Sequence, residues 1–208
     1  MSLPRREEYP FLALGLLLAA LFWLELFRWR LANFWLVITV AAAVLTAFAL
    51  WRRPKLLTQP GNWIETLALA LGSAALLYAL FFLGAQLTAV LPFQQQELAA
   101  IYGNKRGTAP GIIALVMVLV VGPGEEIFWR GYVQGTLAER LGGFWGWFLG
   151  SFFYAGVHFC SGNFMLIGAA ATAGLFWGWL YWRYRNLWAN IFSHVLWDVT
   201  IFLLLPIQ

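Results

Sequence analysis

The sequence has few charged residues and lacks the features of a soluble enzyme. Only 11% of its 208 residues are Asp, Glu, Lys or Arg, 62% are hydrophobic, and the mean hydropathy is +0.74. A soluble core of this size does not need so much apolar surface, so the composition predicts an integral membrane protein. There is no glycine-rich phosphate loop and no basic surface interleaved with aromatic residues, so we do not expect nucleic acid as a partner. The single Cys160 excludes an internal disulfide.

Apolar runs between charged residues, Pro and Gly predict the fold. About 20 consecutive apolar residues cross a bilayer as a helix, because lipid offers no partners to backbone polar groups. The sequence therefore predicts an all-α fold, a polytopic transmembrane helical bundle of about seven spans. The predicted spans are residues 11–27, 31–51, 63–91, 109–137, 144–161, 164–182 and 187–205. The polar connection 92–110 is a candidate for a short interfacial helix.

The distribution of basic residues predicts the orientation of the chain. A cytoplasmic N-terminus places eight basic residues in cytoplasmic connections and four on the opposite side, which agrees with the positive-inside rule. The eight are Arg5, Arg6, Arg52, Arg53, Lys55, Arg140, Arg183 and Arg185, and the four are Arg28, Arg30, Lys105 and Arg106. The first apolar run lacks a small-residue cleavage site, so we interpret it as a retained span. We expect the protein in a bacterial or archaeal cell membrane.

Ionisable side chains within the apolar runs are the main functional signal. A charge at the bilayer centre costs about 2.5–3.5 kcal/mol on insertion scales, so each one needs a partner or a task. Glu25 and Glu65 lie near span ends, where placement at the membrane interface accounts for both. Six others lie well inside runs of the C-terminal half: Glu125, Glu126, Arg130, His158, His194 and Asp198.

The stretch "GPGEEIFWRG", residues 122–131, carries three of these groups. Residues four apart share a helix face, so Glu126 and Arg130 are predicted to form an ion pair, whereas Glu125 points about 100° away. Pro123 removes one helix hydrogen bond. The glycines on either side of it allow two interpretations. They leave space beside the backbone for water or a peptide, or they form a kink that only serves packing.

The two histidines follow different patterns. His158 comes one turn after Tyr154 in "FFYAGVHFC", and a lone intramembrane His is often only a hydrogen-bonded core residue. His194 and Asp198 are four apart and share a helix face, which suits a hydrogen-bonded dyad or two ligands of one ion. Predicted hairpin turns near 140–143 and 185–186 place Glu125 and His158 at similar depth. We therefore expect the Glu, the two His and the Asp to meet in one site, nearer the cytoplasmic side.

Together, the motifs resemble those of a known family. "EEIFWR" fits Glu-Glu-x-x-x-Arg, "YAGVH" resembles Phe-x-x-x-His with Tyr in place of Phe, and "HVLWD" fits His-x-x-x-Asn/Asp. In this order, inside membrane helices, they resemble the CPBP (ABI) family of intramembrane proteases, which includes the type II CAAX prenyl endopeptidase. The resemblance covers about residues 110–206. It divides the chain into N-terminal helices of unassigned role, 1–108, and a catalytic part, 109–208.

The resemblance implies an intramembrane endopeptidase that cleaves a membrane-associated or lipidated protein in a water-filled cavity. Carried over by position, Glu125 is the general base and His158 helps it to activate a water. His194 and Asp198 stabilise the oxyanion, while Glu126 and Arg130 support the site. Prenylated CAAX proteins, bacteriocin leader peptides and protein-sorting tails all suit such an enzyme as substrates. Membrane lipid is the other expected partner, and the sequence gives no oligomeric state.

The resemblance leaves the mechanism open between glutamic-type and metal-dependent hydrolysis. Zinc could be held by Glu125, His158, His194 and Asp198, but these residues lack the His-Glu-x-x-His spacing that is specific for zinc. Asp198 stands where Asn is commoner; an ionised Asp can bind metal but cannot donate to an oxyanion, whereas a protonated one can donate. We favour the mechanism that requires no cofactor.

Two other functions fit the same residues. Buried Glu, His and Asp can relay protons in a proton-coupled transporter, or they can belong to a membrane interaction subunit. The chain shows no pair of repeated halves with broken helices, which weighs against a transporter. A family member that has lost activity and serves as a scaffold is a third interpretation, but every acid and His of the motifs is present.

Overall fold

Helices account for the architecture of the computed structural model, which describes residues 8–58 and 61–207. In order, these residues form α1 (Glu8–Trp29), α2 (Phe34–Arg52), α3 (Trp63–Thr88), α4 (Gln94–Gly103), α5 (Pro110–Leu141), α6 (Gly143–Val157), α7 (Phe164–Tyr184) and α8 (Leu187–Leu204). No strand occurs in the described ranges. The predicted all-α polytopic bundle is confirmed.

Six of the described helices, all except α4 and α6, are long and apolar enough to cross a membrane. Helix α4 lies in the polar connection 92–110, where a short helix was expected. Helix α6 corresponds to the expected span 144–161, but it has only 15 residues. At 1.5 Å per residue it is about 22 Å long, shorter than the ~30 Å hydrocarbon core. The predicted seven spans therefore become six full-length helices and one short helix, which ends just before His158.

Asparagine side chains begin four of the helices. Asn33, Asn62, Asn163 and Asn186 immediately precede α2, α3, α7 and α8, and each side-chain oxygen accepts one or two backbone N–H groups of the first turn. Asn is one of the strongest N-cap residues because it satisfies donors that have no partner within the helix. These caps define where the polar turns end and the apolar helices begin.

Helix α5 occupies the centre of the bundle. Every residue from Glu126 to Gln134 is buried, and this segment contacts α2, α6, α7 and α8. Its hydrogen bonds follow the wider π-helical pattern. Such segments are rare and occur frequently at functional sites. The predicted catalytic motif of α5 thus lies at the point where most of the other helices converge.

The two glycines beside Pro123 allow neighbouring helices to approach α5 closely. A Cβ atom on Gly124 would lie 2.8 Å from Thr46 Oγ1 of α2, and one on Gly122 would lie 2.7 Å from Val195 Cγ2 of α8. Protein atoms therefore fill the space that the glycines leave. Of the two interpretations of this stretch, the packing one holds, and the expected access for water or a peptide at this point is wrong.

Apolar side chains cover the outside of the bundle. Ile64, Leu87 and Leu119 are between 64% and 82% exposed, and many other Leu, Val and Phe side chains are also exposed. So large an apolar surface is unfavourable in water, and it suits contact with lipid. The chain is an integral membrane protein.

The two acidic residues that were assigned to the interface have structural positions. Glu25 Oε1 accepts the backbone N–H groups of Leu31 and Ala32, at 2.8 and 3.1 Å, and so closes the turn between α1 and α2. Glu65 is exposed in the first turn of α3. An acidic side chain is favourable there because the N-terminus of a helix carries partial positive charge.

Candidate active site

A cavity of about 640 Å³ lies inside the bundle, and helices from both halves of the chain line it. Glu125, His158, His194 and Asp198 all contribute to its wall. The four residues that were predicted to meet are therefore brought to one cavity. Aromatic and aliphatic side chains form most of the remaining wall, as in many ligand sites.

The cavity extends toward one end of the bundle. Arg30 in the α1–α2 turn, Tyr102 of α4 and Asn163 before α7 line that part of it. This is the end opposite to the one where α1 begins at Glu8. A cytoplasmic N-terminus would thus place this part of the cavity on the outer side. The expectation that the four site residues lie nearer the cytoplasmic side concerns their depth along the helices, and it stays a prediction.

Glu126 forms the predicted ion pair and two further contacts. Arg130 Nη1 donates to Glu126 Oε1 at 2.8 Å, and both side chains are almost completely buried. The same oxygen lies 2.7 Å from His194 Nδ1, and Oε2 accepts from Asn190 Nδ2 at 3.1 Å. Glu126 therefore connects its own helix to α8, in addition to its ion pair with Arg130.

These contacts fix the orientation of His194. The Glu126 carboxylate can only accept, so His194 Nδ1 carries a proton. The imidazole stacks on Trp177 with ring centroids 3.8 Å apart. His194 Nε2 lies 3.5 Å from Asp198 Oδ1, which is a charge contact but too long for a well-formed hydrogen bond. The predicted pair thus shares a helix face, and both residues line the cavity.

Glu125 is separate from the ion pair, as the helix geometry predicted. Its Oε2 accepts a hydrogen bond from Tyr154 Oη at 2.9 Å. Both residues line the cavity. The carboxylate is thus held on α5 by a side chain of α6, next to a space that can admit a substrate.

His158 is held at both ring nitrogens. The indole Nε1–H of Trp23 donates to His158 Nε2 at 3.1 Å, and a Trp side chain can only donate. His158 Nδ1 therefore carries the proton, which it donates to the backbone oxygen of Tyr154 at 2.8 Å. Neither nitrogen contacts Glu125 in the described part of the chain. The expected cooperation of His158 with Glu125 requires the bond from Trp23 to open.

Residues 107–200 match the model of the family described as type II CAAX prenyl endopeptidase Rce1-like. This match supports the CPBP/CAAX protease family that the three motifs resemble. All three motifs lie within the matched residues, whereas α1 with Trp23 lies outside them. No curated protein and no solved structure matches the chain.

The match supports intramembrane protease activity in general. The arrangement of the side chains bears on the zinc site that the sequence left open. Within residues 8–58 and 61–207, no three or more His, Cys, Asp or Glu side chains are grouped so that they could hold a metal ion. His158 has both nitrogens engaged, and His194 has Nδ1 bonded to Glu126. The four candidate ligands therefore do not fit a zinc ion as they stand.

Four contacting residues were missing from the predicted site. Asn190 precedes His194 by four residues, so the spacing that placed His194 and Asp198 on one helix face could also have identified it. Tyr154 lies within the second motif but received no role. Trp23 and Trp177 gave no local signal, because they are two of 13 tryptophans, and contacts between distant helices do not show in spacing.

Proposed function

We propose that this protein is an intramembrane endopeptidase that hydrolyses a peptide bond with a water activated by Glu125. The observation that carries the proposal is the separation of the two neighbouring carboxylates. Glu126 is occupied by Arg130, His194 and Asn190, whereas Glu125 lines the cavity with one oxygen, Oε1, not bonded in the described residues. One acid is thus held by structure and the other is available for chemistry.

Glu125 would act as the general base. It takes a proton from water as the water oxygen bonds to the peptide carbonyl carbon, and the carbonyl electron pair moves onto oxygen. Glu125 then gives the proton to the amide nitrogen, the C–N bond breaks, and a carboxylic acid and an amine are released. General acid–base catalysis of this kind contributes about 10²–10⁴-fold to rate. The step needs no covalent intermediate on the enzyme.

The oxyanion would lie near His194 and Asp198. His194 Nδ1 is bonded to Glu126, so a second proton on the ring would be carried by Nε2, the nitrogen that lies 3.5 Å from Asp198 Oδ1. That N–H, or a protonated Asp198 carboxyl, can donate to the oxyanion. Donors that are fixed before the reaction stabilise the transition state because they need no reorganisation. Trp177 and Glu126 supply that rigidity to His194.

The cavity wall supports a proposal for the substrate class. Apolar side chains dominate it, among them Phe27, Phe34 and Phe81. We propose that apolar residues or a lipid group next to the scissile bond occupy this space. Membrane-associated proteins provide apolar residues, and lipidated proteins provide a lipid group. Either kind of substrate would reach the bundle through the surrounding lipid. With a cytoplasmic N-terminus, the substrate would enter from the outer part of the cavity.

The proposal is tested by comparing cell membranes that contain the wild-type protein or Glu125→Gln. Mass spectrometry of protein N-termini should show a set of new termini that depends on Glu125. A candidate substrate found in this way is then incubated with each purified protein in lipid vesicles. Identical termini in the two membranes, with both proteins folded and equally abundant, would reject proteolysis and favour a transporter or an interaction subunit.

A further inference from the structure

The hydroxyl of Tyr154 makes the hydrogen bond that holds Glu125. Tyr154 Oη lies 2.9 Å from Glu125 Oε2, on the wall of the cavity. The tyrosine is only 6% exposed, so little water competes for the contact. A hydrogen bond to an ionised acceptor is about twice as strong as one between neutral groups. This contact therefore has the strength to set the position of the carboxylate.

The ring of Tyr154 is fixed from several sides. The Arg130 guanidinium lies over the ring with Cζ 4.6 Å from its centroid, and Trp129 packs against it edge-on at 5.5 Å. On α7, a Cβ atom added to Gly174 would lie 3.0 Å from Tyr154 Cδ1, so the two helices are closely packed there. The backbone oxygen of Tyr154 accepts from His158. The hydroxyl is thus a donor in a defined place.

We propose that Tyr154 is a positioning residue, which orients Glu125 for the attack of water; this role rests on the proposed function. With Oε2 accepting from the phenol, Oε1 is the oxygen left to receive the proton of the water. A phenylalanine at this place would leave the carboxylate free to rotate. The sequence "YAGVH" thus gives this chain a hydroxyl that the Phe-x-x-x-His pattern lacks.

The first test compares Tyr154→Phe with Tyr132→Phe. The hydroxyl of Tyr132 is buried on α5 and has no hydrogen-bond partner in the described residues, so its removal takes away the same group without a contact. We expect kcat of Tyr154→Phe to fall about 10- to 100-fold, because a bond to a charged group is lost. KM should change by less than about twofold, since substrate contacts are retained. Tyr132→Phe should keep the wild-type kcat.

The second test observes the carboxyl group of Glu125 and does not depend on activity. Subtracting the infrared spectrum of Glu125→Gln from that of the wild type identifies the Glu125 band. Tyr154→Phe should shift this band, whereas Tyr132→Phe should leave it in place. An unshifted band in Tyr154→Phe would overturn the proposal, even with kcat reduced.

The remaining outcomes separate this role from the proposed function. A shifted band with wild-type kcat would also overturn the proposal, because the contact would then have no effect on the reaction. If no protein hydrolyses peptides and the band still shifts, the proteolytic function fails. The contact between Tyr154 and Glu125 is then retained for whatever reaction uses that carboxylate.

Discussion

His194 Nδ1 and Arg130 Nη1 both lie within 2.8 Å of the same oxygen of Glu126. One carboxylate thus holds a cation on its own helix and an imidazole on α8. Because Glu126 is 0% exposed, water cannot replace either partner. The supporting role expected for the Glu126–Arg130 pair extends to His194, so loss of the pair should alter a residue of the proposed oxyanion site.

Arg130→Ala should therefore lower both stability and activity. Breaking one partner of a buried ion pair costs about 3–5 kcal/mol, because the other charge remains buried without compensation. Thermal unfolding of the purified protein in detergent measures the effect. Arg53→Ala is the control, since its partner Glu139 is 69% exposed and such surface pairs contribute about 0–1 kcal/mol. An unchanged melting temperature with activity lost would instead indicate that Arg130 acts directly on the substrate.

Glu125→Gln should give a folded protein that is almost inactive. The amide keeps the size of the side chain and can still accept from Tyr154, but it cannot take a proton from water. We expect the cleavage rate to fall about 10²–10⁴-fold. Glu65→Gln, at an exposed position in α3, should retain the wild-type rate. Near-normal cleavage by Glu125→Gln would remove Glu125 as the base.

Asp198→Asn should distinguish an oxyanion donor from a metal ligand. Asn supplies a permanent N–H donor at the same place, so under the metal-independent mechanism activity is kept or increased. Loss of an oxyanion donor costs about 10²–10³-fold in rate, which sets the scale of a possible gain. Elemental analysis and rates with a chelator, measured on both proteins, complete the test. Stoichiometric zinc together with chelator-reversible loss of cleavage would contradict the favoured mechanism.

Trp23→Phe should destabilise the protein through His158. The substitution keeps an aromatic ring on α1 but removes the N–H that His158 Nε2 accepts. A buried acceptor without a partner costs about 1–3 kcal/mol, which a thermal or chemical unfolding curve can detect. Trp188→Phe is a matched control, because its buried Nε1 has no hydrogen-bond partner in the described residues. Equal stability changes in the two variants would show that ring size, and not the hydrogen bond, is responsible.

The orientation of the chain can be tested with two reporters fused after α8. A cytoplasmic N-terminus, followed by α1, α2, α3, α5, α6, α7 and α8, places the C-terminal end outside. Alkaline phosphatase fused after α8 should then be active in bacterial cells, because it folds only outside the cytoplasm. If the phosphatase fusion is inactive and a cytoplasmic fluorescent reporter at the same place is fluorescent, the orientation is the reverse of the predicted one. The end of the cavity near Arg30 and Tyr102 would then face the cytoplasm.

The sequence predicts well the features that depend on local pattern. The boundaries of α2 and α7 fall within three residues of the predicted spans, because charged and polar residues mark both ends. The Glu126–Arg130 pair follows from four-residue spacing alone, which depends only on helix geometry. The same reasoning places His194 and Asp198 on one face.

Features that depend on how the helices pack cannot be predicted from local sequence pattern. The bond from Trp23 to His158 joins residues 135 positions apart, and no periodicity marks either of them as its partner. The sequence around Gly122 and Gly124 is equally compatible with close helix packing and with access for water. Only the positions of α2 and α8 distinguish the two interpretations. Likewise, α6 ends where the 3₁₀ turn His158–Ser161 begins, although the predicted span continues to residue 161.

The short helix α6 also has a consequence for the lipid around the protein. Phe144, Trp145, Phe148 and Phe152 are exposed along it, so it presents an apolar face to the membrane. That face is several ångströms shorter than the hydrocarbon core, and local thinning of the bilayer is one way in which such hydrophobic mismatch is relieved. A membrane thinned beside α6 brings the water interface closer to His158 and the cavity. Acyl-chain length thus becomes a property of the membrane that can set how readily water reaches Glu125.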